Sequence, residues 1–266
     1  MERNILVAGA GPGGLVAALA LARKGFGVRV LERSPELRTA GAGLTLQVNA
    51  VRMLDRLGLA DAVVAAGERL VGGAVETADG RTIQRMELGE AAAKHGRPGV
   101  AIRRGALSDL LAAAVPAGAL RFGAAVSGVR QDDEGVTVTL ADGAEERGVA
   151  LIGADGIHSA VRSAVFGPTQ PRYTGYTCWR GLADRATGLG DGRTFERWGA
   201  GRRFGMVPVG GGQTYWFATL NAPAGGVDGD DVRARLAATF ADFAEPVPAL
   251  IAATPAARIL RNDIVD

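Results

Sequence analysis

A single cysteine, Cys178, stands in 266 residues. No internal disulfide framework can brace the chain, and a reducing cytoplasm is the expected setting. Histidine is almost as scarce. With only His95, His158 and Cys178 as soft donors, no dedicated metal or haem site is expected. No run of about eighteen apolar residues occurs, so a helical membrane span is not expected. The opening Met1-Glu2-Arg3-Asn4 leads straight into an apolar strand, without the basic and apolar regions of a secretory signal. Lys24 and Lys94 are the only lysines, the arginines are scattered, and the formal net charge is +2. That balance gives no footprint for nucleic acid. Nor does any Ser-His-Asp or Cys-His arrangement in a recognisable setting point to nucleophilic catalysis.

What is present is ordinary globular material, 47% hydrophobic and 22% charged, enough for one large domain or two close ones. Ile5–Ala8 reads as a buried strand, 12–24 as a helix stopped at Gly25, and Val28–Leu31 as a second strand. Such a unit requires parallel pairing through a right-handed crossover. Residues 49–57 and 59–66 read as helices parted by Gly58. Residues 70–87 read as a strand pair turning at Asp79-Gly80, and 126–140 as a hairpin across Asp132–Gly135. Gly105–Val115 reads as a helix, Val149–Ile152 as a buried strand, and His158–Val165 as a helix. After Pro168 the pattern changes to strands over 173–182, 194–198, 203–207 and 214–220, with a helix over 231–240.

Gly9-Ala10-Gly11-Pro12-Gly13-Gly14 falls between the first strand and the first helix. Gly9 permits the tight turn, Gly11 lets a pyrophosphate approach the backbone, and Gly14 lets the helix pack close to the strand. The helix N-terminus offers its amides and its dipole to phosphate. Glu32 closes the second strand about 20 residues on, where a carboxylate accepts hydrogen bonds from ribose hydroxyls. Arg33 follows it and joins the candidate cofactor set, although Arg33, like Arg38, also reads as solvated. This much predicts a dinucleotide and leaves FAD and NAD both open.

A second motif, Gly153-Ala154-Asp155-Gly156 continuing to Ser159 and Arg162, follows a strand and opens a helix. In the order in which they occur, the two motifs resemble the class A FAD-dependent monooxygenases, the para-hydroxybenzoate hydroxylase-like family that includes FAD-dependent urate and salicylate hydroxylases. In that family a similar segment packs beside the flavin, which assigns Asp155 and Gly156 to FAD. Asp155 also reads as a helix N-cap. The stretch Gly41-Ala42-Gly43 to Asn49 is similar to the family's loop beside the flavin ring, and Arg104 to Leu107 is similar to its FAD-contacting Arg-x-x-Leu. There is no second GxGxxG, which agrees with NADH or NADPH visiting as a transient reductant.

The resemblance implies an α/β fold: a Rossmann-like FAD-binding domain over 1–170, with 70–97 adding strands to the substrate side. It implies a mostly antiparallel β-sheet substrate domain with a helix over 171–266. Arg203 and Tyr215 match substrate positions of the urate hydroxylase-like branch, Arg203 to pair an anionic ring and Tyr215 to hydrogen-bond it. Both also read as ordinary sheet residues. Trp179, Trp198 and Trp216 read as core or interface, Cys178 as packing, and His158 as a helix-surface residue. No side chain is assigned as a catalyst, since the flavin carries the hard chemistry. The implied reaction is hydroxylation of a small aromatic or heteroaromatic compound with NAD(P)H and dioxygen.

The family carries a third signature, a strand followed by Gly-Asp and a helix. Gly190-Asp191 and Gly229-Asp230 both lack the preceding strand. The chain is therefore expected to be the N-terminal two thirds of such an enzyme, with Arg258–Asp266 as a lead-in to the remainder. Two alternatives follow: a non-catalytic FAD-binding remnant, and a flavin reductase or halogenase on the same fold. The halogenase pattern Trp-x-Trp-x-Ile-Pro is absent.

Overall fold

The computed structural model describes residues 4–37, 42–184, 192–229 and 231–266. Contacts divide the chain into two units, Met1–Thr39 with Gly105–Pro171, and Ala40–Arg104 with Arg172–Asp266.

The first unit is built on the strand Asn4–Ala8, in which Ile5 to Ala8 are all buried in succession. A strand apolar on both faces belongs inside a parallel sheet. It pairs in parallel with Gly27–Leu31 on one side and Ala150–Gly153 on the other, and Leu120–Arg121 continues the sheet. The crossover helix Pro12–Arg23 starts on a proline, whose missing N–H costs nothing at that position. Leu15, Ala18 and Leu19 form its buried face, the spacing of an amphipathic helix. A three-stranded antiparallel sheet of Val126–Asp132, Gly135–Leu140 and Glu145–Gly148 supplies Val138 and Leu140 to a core with Leu6 and Leu31. The stretch expected as a buried strand at 149–152 is instead an edge. Ala150–Gly153 has one neighbour in its sheet, and Val149 and Ile152 are 44% and 37% exposed.

The second unit centres on a seven-stranded sheet ordered Leu260–Val265, Tyr173–Ala183, Thr214–Asn221, Arg202–Pro208, Arg193–Gly199, Gly72–Thr77 and Thr82–Glu87. Every neighbouring pair is antiparallel except Arg193–Gly199 with Gly72–Thr77. Residues 40–104 cluster with this unit, a wider span than the expected 70–97, through that pair and through Leu70 and Ala101 packed on Val207 and Val209. One face of the sheet packs Trp179, Phe204 and Trp216 against Leu236, Phe240, Leu250 and Ile251. These come from the helices Val232–Thr239 and Val247–Ala253 and the residues that flank them. The buried indoles keep polar partners, as buried tryptophans must. Trp216 donates to Thr254 Oγ1 at 2.8 Å, and Trp179 donates to the Asp228 carboxylate at 2.9 Å. A smaller antiparallel sheet joins Gly43–Leu46, Gly99–Arg103 and Glu68–Leu70.

One further expectation is corrected, and two are refined. The stretch read as a lead-in, Arg258–Asp266, includes the strand Leu260–Val265, paired with Tyr173–Ala183. His158 lies in a turn before the helix Ala160–Phe166 rather than on it, because the cap falls at Ser159. Of the tryptophans read as core or interface, Trp179 and Trp216 are in the core and Trp198 is 49% exposed. Arg38, Gly41, Gly190-Asp191 and Asp230 lie outside the described residues. Among the described residues no helix is long and apolar enough to cross a membrane.

Candidate cofactor and substrate sites

In the first unit the two glycine motifs meet. Gly9 turns the chain with φ +100°, and the Ala154 carbonyl oxygen lies 2.5 Å from where a Gly9 Cβ would stand. The Ala154 amide donates to the Ala8 carbonyl at 2.9 Å, so the second motif is tied to the end of the first strand. A Cβ on Gly14 would lie 1.9 Å from the Gly9 carbonyl oxygen, whereas Gly11 would meet nothing within 4 Å. Two glycines are thus required by the protein's own packing. The third, Gly11, borders open space. The following helix has Gly11 as its N-cap, with no side-chain cap and no acid in its first turn. Its positive end is left to bind an anion.

Glu32 joins this loop to the second strand. One carboxylate oxygen accepts the Ala10 amide at 2.7 Å and the other accepts the Ser34 amide at 2.9 Å. Each oxygen retains acceptor capacity for a ribose hydroxyl. Partial burial pushes the carboxyl upward, but the Ser34 and Ala10 amides outweigh it and hold it below the usual glutamate range. The exposed Arg33 adds a smaller effect of the same sign through its charge.

Asp155 is occupied within its own turn. It shares a hydrogen bond with the Ser159 hydroxyl and accepts the amides of Ala160 at 2.7 Å and Val161 at 3.2 Å. Ser159 Oγ in turn accepts the Arg162 amide at 2.9 Å. The start of Ala160–Phe166 is therefore capped by side chains, in contrast to that of Pro12–Arg23. Gly156, with φ +85°, is exposed beside it.

In the second unit Gly43 pairs with Arg103, and the amide of the exposed Arg104 donates to the Ala42 carbonyl at 3.1 Å. A Gly43 Cβ would lie 2.6 Å from Tyr215 Cβ and 2.7 Å from Val209 Cγ1. The residue expected at the flavin ring thus packs directly on a residue expected at the substrate.

Arg203 and Tyr215 share the face of the large sheet opposite the helices. Arg203 stands opposite Thr219, and Tyr215 opposite Val207. That register separates them by about 13 Å along the strands. Arg203 pairs with Glu196 at 3.2 Å, and its guanidinium lies 5.7 Å from the centre of the Tyr176 ring. Glu196 also accepts the Trp198 indole N–H at 2.8 Å. A cavity of about 230 Å³ opens here, lined by Arg203, Tyr176, Trp198, Thr219 and Asn221 among others.

Tyr215 is placed with a different cation. Arg180 stands diagonally across the strand pair on the same face, and burial pushes the Tyr215 phenol up to about 12 against the pull of the Arg180 charge. Cys178, buried on the same face between Tyr176 and Arg180, is pushed up mainly by burial. Sequence reading missed Arg180, Glu196 and Tyr176. The alternation of Tyr176, Cys178, Arg180 and Leu182 was the available signal, since a period of two puts all four on one face.

Residues 2–178 match the model of the FAD binding domain family. The chain is 45% identical over 263 residues to aurachin C monooxygenase/isomerase of Stigmatella aurantiaca, covering 99% of this chain and 69% of that protein. It is 34% identical over 265 residues to FAD-dependent urate hydroxylase of Klebsiella pneumoniae, covering 98% and 69%. The crystal structure of Klebsiella pneumoniae HpxO complexed with FAD and uric acid superposes with a TM-score of 0.91. Its identity is 32%, and the match covers 99% of this chain and 68% of that one.

Proposed function

The chain belongs to the FAD binding domain family as a class A flavin monooxygenase, and from that premise we propose that it hydroxylates a small aromatic or heteroaromatic compound, using NAD(P)H and dioxygen. The observation that carries the cofactor half is Glu32. Its carboxylate is already oriented by Ala10 and Ser34 and stands beside an uncapped helix N-terminus. These residues fit FAD: Glu32 for the ribose, and Gly11 with the helix amides for the pyrophosphate. Arg33, Gly43, Arg104 and Gly156 complete the proposed contacts. Asp155 supports them by fixing its own turn. When bound, the flavin supplies the redox chemistry and the activation of dioxygen.

The protein's share is to bind, orient and exclude water. Arg203 and Tyr215 hold the substrate on the open sheet face, with Arg203 donating to an anionic or carbonyl oxygen. Its pairing with Glu196 makes it a directed donor more than a free charge. Ring recognition of this kind needs an apolar wall with few polar groups, and Phe217 beside Tyr215 at 6.4 Å supplies part of that wall. We assign the protein to the cytoplasm on the strength of its single, buried and unpaired cysteine.

The test is to load purified protein with FAD and follow its visible spectrum, then NAD(P)H oxidation with and without dioxygen in the presence of urate or 3-amino-4-hydroxybenzoate. Bound flavin and oxygen-dependent product formation are expected. A protein that refuses FAD, or that forms the same product without dioxygen, refutes the proposal.

A further inference from the structure

Arg203 is held in two ways. Glu196 Oε1 accepts from its Nη1 at 3.2 Å, and the guanidinium lies 5.7 Å from the centre of the Tyr176 ring. Glu196 is itself held, since the same Oε1 accepts the Trp198 indole N–H at 2.8 Å. Register explains the meeting. Trp198 stands opposite Arg203, and Glu196 stands opposite Gly205, so all three side chains project from one face of the sheet. Both hydrogen bonds end on Oε1, and among the described residues Oε2 takes none. Beside Glu196 lies an aromatic floor. A Gly205 Cβ would collide with Cε1 and Cζ of Phe217, so the Phe217 ring lies across Gly205, in the same cross-strand row as Glu196. Among the strands of the large sheet, the only other charged side chain on this face is Arg180. It stands three strands from Glu196, about 14 Å across the sheet.

We infer that Arg203 and Glu196 together read the edge of an amide on an aromatic substrate: Arg203 donates to the carbonyl oxygen, and Glu196 Oε2 accepts the adjacent N–H. An arginine offers only donors and a carboxylate only acceptors. Side by side they match a group that carries an acceptor next to a donor, as a lactam, a ring urea or a carboxamide does. A substrate carboxylate carries two acceptors. One of its oxygens would face Glu196 as a like charge, which an interface penalises, and Glu196 already offsets the charge of Arg203. Glu196 is thus a specificity residue, and at this end of the site the substrate class narrows to uncharged, amide-bearing rings. This rests on the reading of Arg203 as a substrate residue.

The probes are 4-hydroxybenzamide and 4-hydroxybenzoate, which differ by an amide nitrogen in place of a charged oxygen. Isothermal titration calorimetry against FAD-loaded protein measures both. The native protein should bind the amide about tenfold more tightly. Glu196→Gln removes the charge and keeps the shape, and it should erase that preference by strengthening carboxylate binding. Glu196→Asp keeps the charge and should keep the preference. No binding of the amide, a native preference for the carboxylate, or an unchanged ratio in Glu196→Gln overturns the inference. Arg203→Gln separates it from the reading beneath it. If amide affinity falls in Arg203→Gln while the ratio is unchanged in Glu196→Gln, Arg203 remains a substrate residue and the role of Glu196 is removed. Unchanged affinity for both probes in Arg203→Gln removes the substrate reading itself. A ligand-free measurement checks the placement of Glu196. The chain has three tryptophans, so the Trp198 indole N–H cross-peak in a heteronuclear NMR spectrum is identified from Trp198→Phe. It should move upfield in Glu196→Gln, and an unmoved peak overturns the placement.

Discussion

Gly14 has no room for a side chain because the Gly9 carbonyl oxygen occupies the place, 1.9 Å from where its Cβ would stand. The obstacle is backbone and cannot rotate away. Gly14→Ala should therefore open the loop, at a cost of about 3 kcal/mol, the upper end for overpacking. Gly11→Ala should behave differently. Gly11 has φ −68°, which alanine adopts freely, and its Cβ would meet nothing. Thermal unfolding and FAD titration separate the two. Gly14→Ala should lose stability and flavin together, whereas Gly11→Ala should keep its melting temperature and lose flavin. Full FAD affinity in Gly11→Ala would show that the open side of the loop does not face the pyrophosphate.

Glu32→Ala removes an ionised acceptor from two amides and from the proposed ribose. Loss of charge-assisted hydrogen bonds of this kind costs about 1.5–3 kcal/mol, a roughly tenfold to hundredfold loss of FAD affinity. FAD titration checks it, and an unchanged dissociation constant would contradict the ribose assignment.

The depressed Glu32 carboxyl also carries a pH dependence. Its folded value lies below its unfolded value, so its stabilisation is present above the ordinary glutamate range, about 4.3. That stabilisation is lost as the pH falls through the lower folded value. In urea titrations the native protein should exceed Glu32→Gln in stability at neutral pH, and the gap should narrow progressively below about pH 4. A gap that stays constant down to strongly acid pH would mean that the carboxylate charge is not its source.

Asp155 acts on its own helix. Asp155→Ala should cost about 0.5–2 kcal/mol, the range for a lost cap, and Asp155→Ser should restore part of it. If FAD affinity collapsed in Asp155→Ser while stability returned, the carboxylate would be touching the cofactor directly.

Gly43→Ala should strike Tyr215 at its Cβ. A cost of about 1–3 kcal/mol is expected. Because the obstruction includes the Cβ and Val209, adding Tyr215→Ala should not fully rescue it. Differential scanning calorimetry of the single and double variants reads this. Complete rescue would place the strain further out on the ring.

The dinucleotide half was legible because its signals are local. A buried strand, a proline-started helix and a distant acid each follow from short stretches, and Gly9, Gly11, Gly14 and Glu32 come together as read. The edge character of Ala150–Gly153 was not legible, since its apolar residues read the same whether covered or open. The helix Val247–Ala253 was hidden by Pro246 and Pro248, although a proline at the first helical turn is permitted. The partners of Arg203 and Tyr215 depend on register between strands far apart in sequence. Alternation within Tyr173–Ala183 could place Arg180 on the right face, but only the pairing with Thr214–Asn221 brings it to Tyr215.

The single parallel pair in the large sheet, Arg193–Gly199 beside Gly72–Thr77, has a consequence for how the chain is made. The hairpin over 72–87 emerges from the ribosome long before its partner strand. At roughly 5–20 residues per second the delay is on the order of 10 s. Meanwhile the edge of Gly72–Thr77 stands unpaired, an invitation to wrong partners. The stretch that follows, Gly105–Pro171, belongs to the other unit, so the chain must leave one unit unfinished, pass through the other and return. Neither unit can be excised as one continuous gene segment. Cutting at residue 171 would give a piece that keeps its dinucleotide loop and carries a stranded hairpin.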